Sequence, residues 1–278
     1  MKKFNNLLLY LFFGFAAQNE ILAQQTNNYW YFGVHAGIYF DSVKTLHPTS
    51  GEIYAGEGTA SISDGCGLLF YTDGDSVWNK NHALMTNGFD IGGKCAKFKR
   101  SSSTQSALIV RQPNNDSLFY IFTTDCVEDS LINGLSYSIV NMNKNGGLGE
   151  VIVKDQLLLS LAEEKVTASR HSNGCDIWII THKFRSNEFY SFLLSSSGLS
   201  SSPVISSAGQ IHNCDTKYAP HGRGYLKASP NGKLLINVNP DGVYYYCDTT
   251  LPELFNFNQS TGSVSSYFVF PMQKDHWW

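Results

Sequence analysis

The stretches ArgHisSerAsnGly (170–174) and AlaSerProAsnGly (228–232), each followed by a short apolar run, Ile177 to Ile180 and Leu234 to Val238, decide how this chain folds. Two more copies of the pattern precede them. SerIleSerAspGly (61–65) leads into Leu68 to Tyr71, and ArgGlnProAsnAsnAsp (111–116) leads into Leu118 to Phe122. The markers Gly65, Asp116, Gly174 and Gly232 stand 51, 58 and 58 residues apart, the mark of a repeated supersecondary unit. Asn, Asp and Gly suit these turns because tight hairpins need positive φ, so valine at Gly174 or Gly232 is expected to cost roughly 1 kcal/mol or more.

A second hairpin follows each turn at a regular offset. Residues 135–143 precede 150–153, residues 189–194 precede 203–206, and residues 253–258 precede 266–270, with AsnGlyGly, SerSerGly and ThrGly between them. Two hairpins make a four-stranded meander. LeuPheTyrIlePhe and IleTrpIleIle are continuous apolar runs, which implies burial on both faces. Such a sheet must pack on copies of itself. The fold expected is all-β, a β-propeller of four-stranded antiparallel blades with about four to five present and the ring incomplete. Units are placed from about 28, 106, 166 and 224, and residues 154–165 read as an outer strand with a connector, with one or two helical turns as the alternative. A β-sandwich is the rival, but it has no reason to repeat its turn chemistry at a fixed interval.

The chain has 278 residues, and its first 23 read as a secretory signal, with Lys2 and Lys3 ahead of an apolar run too short to cross a bilayer. Residues 24–278 are then one propeller domain, truncated at its carboxy end, in an exported protein with no later membrane span. A net charge of −3 gives no case for nucleic acid, which calls for clustered Lys and Arg; residues 94–100 read as a solvated loop. Six cysteines in an exported chain allow 15 pairings. Cys66 and Cys175 follow equivalent turns on non-adjacent units and are not expected to pair.

Little in the sequence carries chemistry. No GxSxG elbow is present, His171 and His182 flank one strand as turn and strand-end residues do, and the first strands of the units offer Ser, Ala, Leu and Val. No catalytic residue and no cofactor is expected. Asp73 and Asp75, near Asn79 and Asn81, are the candidates for a calcium ion, although their spacing lacks the Gly and distal Glu of an EF-hand. Trp30, Trp78 and Trp178 read as core anchors.

AsnTyrTrpTyrPheGly (28–33), the run from Gly56 to His82 and residues 101–110 resemble the amino-terminal propeller of large surface proteins exported by type IX secretion and termed gliding-motility-associated. GlyGlyLeuGlyGlu (146–150), GluLysValThrAla (164–168), residues 176–182 and residues 253–264 continue the likeness over nearly all of the mature chain. The resemblance implies a non-enzymatic surface or extracellular interaction and adhesion module, meeting a glycan or protein at the propeller rim. A propeller hydrolase with a central-channel site and a structural spacer are the alternatives. The relatives' type B sorting domain is not seen here, which would leave the chain periplasmic. Asp41-Ser42-Val43, Asp75-Ser76-Val77, Asp116-Ser117-Leu118 and Asp129-Ser130-Leu131 match an O-glycosylation pattern of such hosts, which marks Ser42, Ser76, Ser117 and Ser130.

Overall fold

The computed structural model describes residues 27–93, 95–98, 101–212, 215–216, 219–220, 222–239 and 252–270. The expected signal over 1–23, together with Cys214, Cys247, Trp277 and Trp278, lies outside those residues. The chain is all-β, and among the described residues the helical segments are the two 3-10 turns Val127–Asp129 and Asn145–Gly147.

Four antiparallel meanders follow one another. The first runs through Ala60–Asp64, Gly67–Thr72, Ser76–Asn79 and Leu84–Phe89, and the second through Ala107–Arg111, Leu118–Thr124, Leu135–Asn141 and Glu150–Leu159. Their last strands meet in parallel at Thr86 and Glu150, which joins the two into one eight-stranded sheet. The third comprises Ala162–Arg170, Ile177–Lys183, Glu188–Ser195 and a last position shared by Gly198–Leu199 and Val204–Ser207. The fourth comprises Tyr225–Ala228, Leu234–Val238, Glu253–Asn258 and Ser263–Val269. Residues 154–159 are outer strand, as expected. The unit placed from 28 resolves instead into two sheets, because Tyr29–Phe32, Val34–Phe40 and Leu46–Tyr54 close into a meander of their own.

The repeat is a repeat of turn chemistry. In each unit the turn between the first and second strands carries an Asn or Asp whose Oδ1 accepts the N–H two residues on. Asp64 accepts from Cys66 at 2.7 Å, Asn115 from Ser117 at 3.0 Å, Asn173 from Cys175 at 3.0 Å and Asn231 from Lys233 at 3.1 Å. Gly174 and Gly232 take φ of 76° and 70°. A Cβ on Gly174 meets nothing within 4 Å, whereas one on Gly232 comes within 2.4 Å of Gln259 Nε2 and 2.6 Å of Ser169 Oγ. We therefore expect Gly174→Val to cost about 1 kcal/mol and Gly232→Val about 2–3 kcal/mol, read from urea midpoints. Equal losses would refute the difference.

Each core lies between two consecutive meanders. On Leu118–Thr124 alternate side chains point to opposite faces. Phe119 and Ile121 pack with Phe70, Val77 and Met85 of the first unit. Tyr120 and Phe122 pack with Ile179, Tyr190 and Phe192 of the third. Trp178 and Ile180 then meet Leu226, Leu235 and Phe255 of the fourth, and Tyr31 and Ile53 of the leading sheet meet Tyr71 of the first. Burying one such aromatic or aliphatic side chain contributes about 1.5–3 kcal/mol. Trp178 anchors a core as expected, but Trp30 does not. Its neighbour Tyr31 faces inward, so strand alternation turns Trp30 outward, where it is 51% exposed.

Cys95 and Cys126 form a disulfide, Cα to Cα 5.6 Å, which makes Cys95 a buried post inside the loop expected to be solvated. Cys66 and Cys175 are exposed and unbridged, so they do not pair with each other, as expected.

Candidate functional site

The first strands of the second, third and fourth units are tied side by side through side chains. Gln105, just ahead of Ala107–Arg111, donates from Nε2 to Val166 O at 3.2 Å and accepts from Leu226 N–H at 2.8 Å. Thr167 Oγ1 accepts from Ala228 N–H at 3.3 Å. The strand in the middle of this seam, Ala162–Arg170, begins AlaGluGluLysVal. Its pairing with Ile177–Lys183 skips between Ala162 and Val166, so residues 163–165 bulge out of the ladder. A bulge re-aims side chains and is frequent beside functional sites. Glu163, Glu164 and Lys165 are all wholly buried.

Glu163 and Lys165 point toward the fourth unit. Glu163 Oε2 lies 2.7 Å from Lys165 Nζ, and Oε1 lies 2.7 Å from His212 Nδ1 and 3.2 Å from His182 Nδ1. Lys165 also donates to Asn237 Oδ1 at 2.9 Å and to Asn239 Oδ1. His212 Nε2 stands 3.0 Å from Glu253 Oε2, and the two imidazole rings sit 4.3 Å apart. Every one of these side chains is at most 2% exposed in its ionic contacts. Burial opposes ionisation of Glu163, but Lys165, His212 and His182 around it hold its carboxyl well below the usual range. Burial drives His182 down, toward the neutral ring. For His212 burial acts the same way but loses to Glu163 and Glu253, and the ring is raised.

Glu164 points the other way, as the pleat demands. Its Oε2 accepts from Thr104 N–H at 2.8 Å and Thr104 Oγ1 at 3.1 Å, and its Oε1 accepts from Val127 N–H at 2.8 Å. Burial nevertheless dominates and pushes its carboxyl up to about 8, against the lowering by those N–H groups. A carboxyl raised in the folded state adds stability in full below its unfolded value near 4.5, and that stability is lost as pH rises through about 8. We expect the urea midpoint of the chain to fall between pH 5 and 9 by more than that of Glu164→Gln. Parallel curves for the two would refute this reading.

The residues expected from the sequence to bind an ion lie elsewhere. Asp73 and Asp75 are buried in the turn after Gly67–Thr72, where Asp73 Oδ1 accepts from the N–H of Asp75 at 3.0 Å and of Ser76 at 2.8 Å. Asp73 thus serves as a turn acceptor, and burial raises its carboxyl. Among the described residues, three groups bring three ligand atoms together, and neither aspartate belongs to any of them. Two of those groups use the disulfide cysteines; the third is Glu163, His182 and His212. Of the serines in the glycosylation pattern, Ser42 and Ser130 are exposed, Ser117 is half-buried and Ser76 is buried. His182 is a strand-end residue as expected, but its ring points into the cluster.

An open surface hollow of about 510 Å³ lies apart from the cluster, lined by Ser172, Lys233, Asn256, Asn258, Gln259 and Ser260 at the hairpin ends of the third and fourth units. Its lining combines amide and hydroxyl groups and one ammonium with Phe257 and other apolar surface. No helix among the described residues is long and apolar enough to cross a membrane. No protein-family model matches the chain, and comparison with the curated proteins gives no match.

Proposed function

We propose that this chain is an exported β-propeller that acts without catalysis as a surface or extracellular interaction module, of the kind found at the amino end of type IX-secreted, gliding-motility-associated proteins. The observation that carries the reading is the order of the cores, three of which join one four-stranded unit to the next. That is the packing a propeller requires, because only neighbouring copies cover both apolar faces of a blade. Rigid blades then hold hairpin loops at a rim, where recognition residues are free to vary. The hollow beside Lys233 and Asn256 offers the amides and hydroxyls that a polar ligand such as a glycan needs. The closed environment of Glu163, His182 and His212 favours this reading over a hydrolase, since a substrate has no way to reach them in this conformation.

The test is a glycan and matrix-protein binding screen on the mature chain. Saturable binding that falls at least about tenfold in Lys233→Ala with Asn256→Ala supports the proposal, a loss of about 1.4 kcal/mol or more. Background binding throughout, or turnover of ester or glycosidic substrates, overturns it. O-glycans at the exposed Ser42 and Ser130 belong to the same proposal. An intact mass of the native exported chain equal to that of the bare polypeptide would end that part.

A further inference from the structure

We infer that Glu163, His182 and His212 form a buried binding site for one divalent transition-metal ion of the zinc class, which pins the third unit to the segment that leads from it into the fourth. The first argument is geometric. Their ligand atoms lie within 4.8 Å of one another, and Glu163 Oε1 stands 2.7 and 3.2 Å from the two Nδ1 atoms. Bonds of about 2.0–2.1 Å in a tetrahedral shell place ligand atoms about 3.3 Å apart. Little movement is needed to admit the ion.

The second argument is the placement of hydrogens. The Glu253 carboxylate accepts, so His212 Nε2, 3.0 Å away, carries a hydrogen, and the ring in its neutral form would leave a lone pair on Nδ1. The Asn239 amide nitrogen, 3.4 Å from the same Nε2, is the longer contact. That lone pair then faces a carboxylate oxygen of Glu163 at 2.7 Å, acceptor against acceptor. His182 Nδ1, 1% exposed as a residue, lies 3.2 Å from the same oxygen without making a hydrogen bond, and among the described residues no other partner meets it. A proton on His212 would satisfy one of these pairs and leave His182 Nδ1 buried and unmet. A cation among the three atoms satisfies all of them.

The third argument lies outside the ligands. Zinc-binding histidines commonly give their other ring N–H to a carboxylate, which fixes the tautomer, and Glu253 stands in that place beside His212. Two imidazoles and a carboxylate suit zinc, and water is the ordinary fourth ligand of a three-residue site. Because the ligands are enclosed, the ion enters as the units close and leaves only when they open.

The test refolds the full chain from guanidinium with zinc chloride or with EDTA, then desalts and measures bound zinc and Tm. The expected result is about one equivalent of zinc and a Tm about 5–10 °C above the EDTA sample. Cobalt(II) in place of zinc should give the visible bands of a tetrahedral site. His182→Phe, an aromatic that fills the same space, should hold less than about a tenth of an equivalent and lose the zinc-dependent shift, and Glu253→Gln should bind about 10–100-fold more weakly. Wild-type protein that retains less than about a tenth of an equivalent, with the same Tm in zinc and EDTA, overturns the site. That arm needs no variant to fold. Full zinc retention by His182→Phe overturns it as well.

Discussion

Lys165→Met, measured on chelator-treated protein, should lower the free energy of unfolding by about 3–5 kcal/mol, because it strips the buried Glu163 carboxylate of its ammonium partner. The methionine fills most of the space, so the loss reads out charge and not a cavity. It also leaves the side-chain oxygens of Asn237 and Asn239 without their common donor. The double variant with Glu163→Gln removes both charges of the pair and should lose less than the two single variants added together, by about 1–3 kcal/mol. Urea unfolding of the four proteins of the cycle decides. A Lys165→Met protein within about 1 kcal/mol of the original would show that Lys165 is not the charge that stabilises Glu163 in the fold.

Phe122→Ala should cost a similar about 3–5 kcal/mol, for a different reason. Phe122 is wholly buried among Leu135 of its own unit and Ile179 and Phe192 of the next, so truncation opens a cavity between two sheets. Its location makes a second prediction. Hydrogen exchange should speed up in Leu135–Asn141 and in Ile177–Lys183 alike, while Gly67–Thr72, which packs on the other face of the Phe122 strand through Phe119, should change less. Faster exchange confined to residues 107–159 would mean that the second unit stands by itself.

The four units were legible because their turns are local chemistry. An Asn or Asp two residues ahead of the N–H it accepts leaves a signature in five consecutive residues, and the aromatic run behind it marks the central strand. The leading sheet was not legible, since Gly33 and the turn at 41–45 give weaker punctuation than an Asn-Gly pair. Trp30 was misread because the aromatic type says nothing about which face of a strand it occupies; the burial of Tyr31 beside it settles that. The charged cluster escaped for two reasons. The turn spacing places the start of the third unit at about 166, because GluGluLys reads as a connector, whereas its first strand starts at Ala162. Its other members, His182, His212 and Glu253, come from three more segments that only the stacking of sheets brings together. The sequence signal that points to them is three consecutive ionisable residues between two apolar stretches, a pattern costly to bury without partners.

The order of the cores has a mechanical side. Each inner unit leans on the one before and the one after, so the described chain resembles a row of books held by friction between covers, with a spine of side-chain ties running along Gln105, Glu164 and Thr167. Pulled from its two ends, it should shed sheets singly from the outside, and the volumes bound along the spine, the second to the fourth, should be the last to come apart.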